Sequence, residues 1–171
     1  MQKKIAGFTL IELIIGITIL SLLAVALLAA LDPVEQFNKA RDTATRNTAM
    51  EIHNGILRYN AAKDTLPSLV PSIVNPSIIP TVIAELVAAG ELKTNFKNSA
   101  GSSINQISIF SADGTAAGVK TCYRPSSKQF LQGKNNYVIT PAANNNYLLP
   151  STFPASPGTC TSGVGCIWCA E

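Results

Sequence analysis

Gly7-Phe8-Thr9-Leu10-Ile11-Glu12 opens an apolar run that continues to Leu31 without a further charge. The run holds 24 residues from Phe8 to Leu31, and Glu12 is the only charged one. Wound as a helix at about 1.5 Å per residue, it is roughly 36 Å long. A bilayer hydrocarbon core is about 30 Å thick, so the run is long enough to span it with some tilt. Lys3 and Lys4 precede it, with no acidic residue before Glu12. By the positive-inside rule the short N-terminal tail then faces the cytoplasm and residues 32–171 lie outside. The chain reads as single-pass, held in the cytoplasmic membrane with its N-terminus inside.

Three readings of the run compete. A secretory signal peptide has a shorter apolar region, about 7–15 residues, ending in a small-residue cleavage site. Here Asp32-Pro33 ends the run, and the one small-residue triplet of that kind, Ala24-Val25-Ala26, lies inside it. A plain membrane anchor accounts for length and orientation but has no use for Glu12. A carboxylate in lipid costs about 2.5–3.5 kcal/mol at mid-helix and less near an end, which marks it as a candidate functional residue.

The order of these residues resembles a known family. Lys3-Lys4-Ile5-Ala6-Gly7 followed by Phe8-Thr9-Leu10-Ile11-Glu12 is similar to the class III signal of type IV pilins and type II secretion pseudopilins. The resemblance covers the first third of the chain well and the rest in outline. It implies that a prepilin peptidase cuts after Gly7 and methylates the new amine of Phe8. It also implies assembly through Thr9 and Glu12, and a structural subunit rather than an enzyme, with no cofactor. The implied partners are the peptidase, the pilus assembly machinery, the cytoplasmic membrane and further copies of the chain in a helical filament, which leaves it in an extracellular pilus. Physics adds a reason for Glu12. After cleavage the Phe8 amine would be the only cation near that end of the helix, and the carboxylate lies one turn on. In a staggered bundle the carboxylate of one subunit can meet the amine of the next. An unpaired charge there disfavours a wrong stagger.

The alternatives are a pseudopilin of a type II secretion or DNA-uptake system, and a membrane-anchored, monomeric cysteine or metal-binding protein. Net charge is +3, and removing residues 1–7 leaves +1, so nothing argues for nucleic acid as a direct partner. One histidine, His53, is assigned no chemistry. With no metal-spaced carboxylates and no phosphate-binding Gly-rich loop, an enzyme reading rests on the cysteines alone. Asp113 and Glu171 are the only acids after Glu91, which weakens a pseudopilin-like calcium site and tilts the reading towards a pilin.

The domain plan is a leader at 1–7, a membrane and filament-core helix at 8–31, its outer half at 32–63, and an external pilin-like domain at 64–171. Asp32-Pro33 reads as a helix start or as a kink in one long helix, the kink being preferred. Phe37, Ala40, Ala44, Thr48, Ile52, Ile56 and Tyr59 recur at spacings of three and four, a narrow face for packing on a sheet. Glu35, Lys39, Arg41, Asp42, Arg46, Glu51 and Arg58 fall outside it. The helix should stop before Leu66-Pro67. Residues 67–80, with four prolines, read as an extended crossing segment. Thr81–Ala89 reads as a short helix stopped by Gly90. Strands are expected at 104–110, 119–123 and 137–140, with a weaker fourth at 147–149. Asp113-Gly114 and Lys134-Asn135-Asn136 mark the turns. The fold class is α+β: a long N-terminal helix packed on a small antiparallel sheet.

Four cysteines remain: Cys122, Cys160, Cys166 and Cys169. An external compartment permits disulfides, and four cysteines allow three pairings that sequence does not choose among. A bond from Cys122 to the last three would tie a Gly/Pro/Ser-rich tail to the sheet. A zinc site has Cys166-x-x-Cys169 as one half and no matching second half. A redox-active Cys-x-x-Cys lacks its βαβ surroundings.

Overall fold

The computed structural model describes residues 7–30, 32–68, 70, 79–111, 115–133, 136–139, 160 and 165–170. The chain divides into two compact units, Met1–Gln36 and Phe37–Glu171. The class is α+β. The first unit contains helix α1, Leu10–Ala30. Every described side chain from Phe8 to Leu28 is exposed, so α1 is apolar on all sides and has no buried face of its own. Asp32 precedes α2, Pro33–Lys63. Its carboxylate accepts from the Glu35 amide at 3.2 Å, and its carbonyl accepts from the Gln36 amide at 3.3 Å. Asp32 is therefore a helix N-cap with Pro33 in the first position. The start signal at this dipeptide is in use.

In the second unit α2 buries Asp42, Thr45, Thr48, Ala49, Ile52, His53, Gly55, Ile56 and Tyr59. The C-terminal part of the expected face, from Thr48 to Tyr59, lies in the core. Its N-terminal part does not: Phe37, Ala40 and Ala44 are exposed. The buried line there runs through Asp42 and Thr45 instead, because the chain packed against it offers backbone amides. Helix α2 ends at Lys63 as Asp64 turns to φ 54°, its amide still bonded to the Asn60 carbonyl at 2.7 Å. Glu85 then gathers the exit. It accepts from the Tyr59 hydroxyl at 2.8 Å, and from the Ser68 hydroxyl and amide at 2.9 and 3.1 Å. Of the expected crossing segment, Pro71 and Pro76 lie outside the described residues.

Helix α3 spans Ile79–Ala88, so it starts two residues earlier than expected and takes Pro80 into its first turn. Ile79, Val82, Ile83 and Leu86 face the core at helical spacing. Gly90, at φ +80°, ends it: its amide bonds to the Val87 carbonyl and the Glu91 amide to the Leu86 carbonyl. This pair of bonds is a Schellman stop. Arg58 fastens the same corner through the Glu91 carboxylate at 3.1 Å and carbonyl at 2.7 Å.

A short helix α4, Phe96–Ala100, and a 3-10 turn, Gly101–Gln106, lead to strand β1, Ile107–Ser111. The expected strand at 104–110 therefore begins three residues late. Strand β2 is Val119–Tyr123, a one-turn helix α5 is Lys128–Leu131, and β3 is Asn136–Ile139. Asn136, expected in a turn, is a strand residue. Asp113-Gly114, Lys134-Asn135, Thr140 and the expected strand at 147–149 lie outside the described residues. The fourth strand of the sheet is β4, Gly165–Ala170, in the Cys-rich tail, where no strand is expected from the sequence. The sheet is antiparallel throughout, in the order β1-β2-β4-β3.

One face of the sheet joins α2 and α3 in a core that includes Ile52, Ile56, Ile83, Leu86, Ile107, Ile109, Tyr123 and Trp168. The other carries a smaller buried group: Phe110, Cys122, Tyr137, Ile167 and Cys169. Tyr123 stands opposite Trp168 across β2–β4, and Asn136 stands opposite Trp168 across β3–β4. The three form one row on the α2 side. Arg46 of α2 lies over the Trp168 ring at 4.7 Å and the Phe130 ring at 5.8 Å. One turn away, the Asp42 carboxylate accepts from the amides of Ser126, at 2.9 and 3.1 Å, and Ser127, at 2.7 Å. Burial pushes the Tyr123 phenol well above its ordinary range; the Asp42 charge adds to this and Arg46 opposes it.

Candidate functional site

The first turn of α1 is built from the residues that the sequence marks. Thr9 is the last residue before the helix, and Glu12 is the third residue within it. The Thr9 amide and hydroxyl both donate to Glu12 Oε2, at 3.0 and 2.7 Å, and the Glu12 amide donates back to Thr9 Oγ1 at 3.3 Å. This reciprocal pair is a capping box, the Thr-x-x-Glu arrangement that satisfies the first amides of a helix. The Thr9 carbonyl already accepts from the Leu13 amide at 3.2 Å. A plain anchor therefore does have a use for Glu12, as the partner of its N-cap. The spacing signal was present: a Thr three residues before a Glu, ahead of an apolar run.

Further along α1 the remaining hydroxyls are also satisfied within the helix. Thr18 donates to the Ile15 carbonyl at 2.8 Å, and Ser21 to the Ile17 carbonyl at 2.7 Å. Such back-bonding removes the cost of a bare hydroxyl in hydrocarbon. Leu10–Leu28 is long and apolar enough to cross a membrane, and none of that span is buried.

Gly7 and Phe8 lie immediately before the capped turn, in irregular backbone, and Phe8 is 78% exposed. A peptide bond between them is open to a partner. Lys3 and Lys4 lie outside the described residues. The structure brings Thr9 and Glu12 together; Gly7 and Phe8 adjoin them in the chain.

The cysteines form a separate set in the second unit. Cys122 is bonded to Cys169, its cross-strand partner on β4, and Cys160 to Cys166. All four sulfurs are thus consumed, which removes the thiolates that a zinc site or a redox dithiol would need. Among the described residues, no group of three His, Cys, Asp or Glu side chains is placed to hold a metal. His53 is buried in α2.

Residues 2–28 match the family model of the prokaryotic N-terminal methylation motif. No curated protein and no solved structure matches the chain. The matched stretch contains the Gly7–Phe8 junction, the capping box and all but the last two residues of α1. The chain carries the prokaryotic N-terminal methylation motif, the class III signal typical of type IV pilins and pseudopilins.

Proposed function

We propose that the chain is a precursor of a type IV pilus-like filament subunit, a structural protein with no catalytic role. Residues 1–7 are the leader, removed by prepilin peptidase after Gly7, and Phe8 becomes the methylated N-terminus. Residues 8–31 hold the subunit in the cytoplasmic membrane, N-terminus inside, and later form the filament core. Residues 32–63 carry the outer half of the helical region, and 64–171 form the external domain. The observation that carries this reading is the methylation motif lying on a helix that is apolar on every side and has one charge in its first turn.

Assembly uses that charge. Parallel staggered helices bring the Glu12 carboxylate of one copy to the Phe8 amine of the next, a charge-assisted bond in an apolar bundle. An ion left alone there costs several kcal/mol, which fixes the stagger. The bonded cysteines, with Asp113 and Glu171 the only acids after Glu91, support a pilus subunit over a secretion pseudopilin with a calcium site near its C-terminus.

The test has two parts. The mature chain from isolated envelopes should begin at Phe8 with one added methyl group by mass. Glu12→Leu should leave cleavage and membrane insertion intact and cut the yield of sheared filaments, counted by microscopy, at least tenfold; Glu12→Asp should be intermediate. Normal filament yield from Glu12→Leu would remove the carboxylate from assembly. A mature chain starting near residue 27 would establish an ordinary secretory signal.

A further inference from the structure

Strand β4 carries two cysteines that stand on opposite faces of the sheet. Side chains alternate along a strand. Trp168 and Ala170 belong to the core on the α2 side, and Ile167 and Cys169 to the buried group on the other. Cys166, two residues before Trp168, therefore lies on the α2 side, where it is bonded to Cys160. Cys122 lies on the opposite side with its cross-strand partner Cys169. One strand is thus held from both faces, by a short link and a long one.

Loop statistics do not select this pairing. Cys122 is 47 residues from Cys169 and 44 from Cys166. In a flexible chain the two closures differ by a factor of only about 1.1. The wrong one disrupts the core. A Cys122–Cys166 cross-strand bond slides β4 by three residues along β2, and an odd slip moves every side chain to the other face. Trp168 and Ala170 then leave the α2 side, and Ile167 and Cys169 take their place. The link of separation 6, by contrast, closes about 20 times more readily than the link of separation 47. The last short pair, Cys166 with Cys169, has its Cα atoms about 10 Å apart in extended chain, beyond the roughly 7 Å reach of a disulfide.

We propose that Cys160–Cys166 is a pairing guard. It forms first and takes the Cys166 thiol away from Cys122, which leaves Cys169 as the partner and one register for β4. Each bond forms by exchange with a small disulfide oxidant. One cysteine thiolate attacks a sulfur of the oxidant and releases one thiol, and the second cysteine thiolate then displaces the other. The two cysteines lose two electrons and two protons, and the oxidant takes up both as two thiols. The inference concerns the second unit alone and stands apart from the filament reading.

The test uses the full chain in detergent, reduced and denatured, then returned to buffer containing reduced and oxidised glutathione. Samples are quenched with iodoacetamide at intervals. Bonds are mapped by peptide mass after chymotrypsin, which cuts beyond Trp168 and so separates Cys166 from Cys169. Trp168 fluorescence reads the yield of folded chain. In the native chain Cys160–Cys166 should precede Cys122–Cys169, with Cys122–Cys166 below about a tenth of all bonds to Cys122. Cys160→Ser frees the Cys166 thiol, so Cys122–Cys166 should rise to about half of the early bonds to Cys122, with a matching loss of folded chain. Cys160→Ser with Cys166→Ser removes the hazard together with the guard, and the folded yield should recover. Three results would overturn the guard. One is faithful Cys122–Cys169 pairing in Cys160→Ser, and another is Cys122–Cys169 forming first in the native chain. The third is a double variant that folds no better than Cys160→Ser, since the short link would then serve packing and not pairing.

Discussion

The two units satisfy their polar groups over different distances. Among the described residues of Met1–Gln36, side-chain bonds join residues three or four apart in Thr9 with Glu12, Thr18 with Ile15, Ser21 with Ile17 and Asp32 with Glu35. In Phe37–Glu171 the Tyr59–Glu85 bond spans 26 residues, Arg58–Glu91 spans 33 and Asp42–Ser127 spans 85. Bonds as local as these are kept when the surroundings of the segment change. Under the proposed function, that would let it pass from lipid to a bundle of its own kind without rebuilding. A domain held by distant bonds has no such freedom, since each contact depends on the rest being in place.

Three measurements test that contrast, and Trp168, the only tryptophan, reports the second unit in each. The largest effect should come from Cys122→Ala with Cys169→Ala. That bond closes a separation of 47 residues, worth about 4 kcal/mol in the chain-entropy model. Denaturant unfolding of the detergent-solubilised chain, followed by Trp168 fluorescence, should shift by that amount. The helical signal that survives should match α1. The bond Cys160–Cys166, of separation 6, should contribute about half as much. Equal losses would mean that closing the long loop is not what the first bond does.

Asp42→Ala should come next. It leaves the amides of Ser126 and Ser127 without their acceptor, at a cost of about 3 kcal/mol. Asp42→Asn keeps one side-chain oxygen and should cost about 1 kcal/mol. An Asp42→Ala variant as stable as the native chain would show that the α2–sheet junction is held by apolar packing alone.

The smallest effect is a pH dependence. Burial works against the charged form of Glu85, but the bonds from Tyr59 and Ser68, with Lys63 nearby, outweigh it and hold the carboxyl below its usual range. The folded pKa then lies below the unfolded one. The contribution is full above the ordinary glutamate value of about 4.3, and is lost as pH falls through the folded value. Glu85→Gln should flatten this acid limb of the Trp168 unfolding curve while leaving stability at pH 7 only slightly lower. An unchanged acid limb would show that the corner between α2 and α3 does not depend on that charge.

How much of this the sequence disclosed follows the same division. The apolar run, its single charge and its start are local features, and they were legible from spacing. The capping box is also local and readable as Thr-x-x-Glu. In the second unit, α3 with its Gly90 stop and the strand at 119–123 were legible because local turn chemistry and β-branched runs mark them. Asp42 was not. A carboxylate on a helix reads as solvated, and only the distant amides of Ser126 and Ser127 explain its burial. Strand β4 was hidden for a related reason. Gly165-Cys-Ile-Trp-Cys-Ala170 follows a Gly- and Ser-rich approach and shows its pairing only beside β2 and β3. The exposed Phe37 shows the converse error, in which a sound helical period was extended past the point where the partner surface changes from apolar to polar.

The place of β4 in the sheet sets a timetable for the molecule's birth. About 42 residues separate the end of β2 from the start of β4. At about 5–20 residues per second of synthesis, that is a delay of roughly 2–8 s. Through that interval β2 lacks its β4 neighbour and presents a row of unbonded amides and carbonyls to whatever is near, as β3 does once it is made. Anything that stalls the ribosome or slows passage of the final segment lengthens this exposure directly. The steps most sensitive to crowding and to misplaced pairing therefore fall late, when the apolar helix has long since been made.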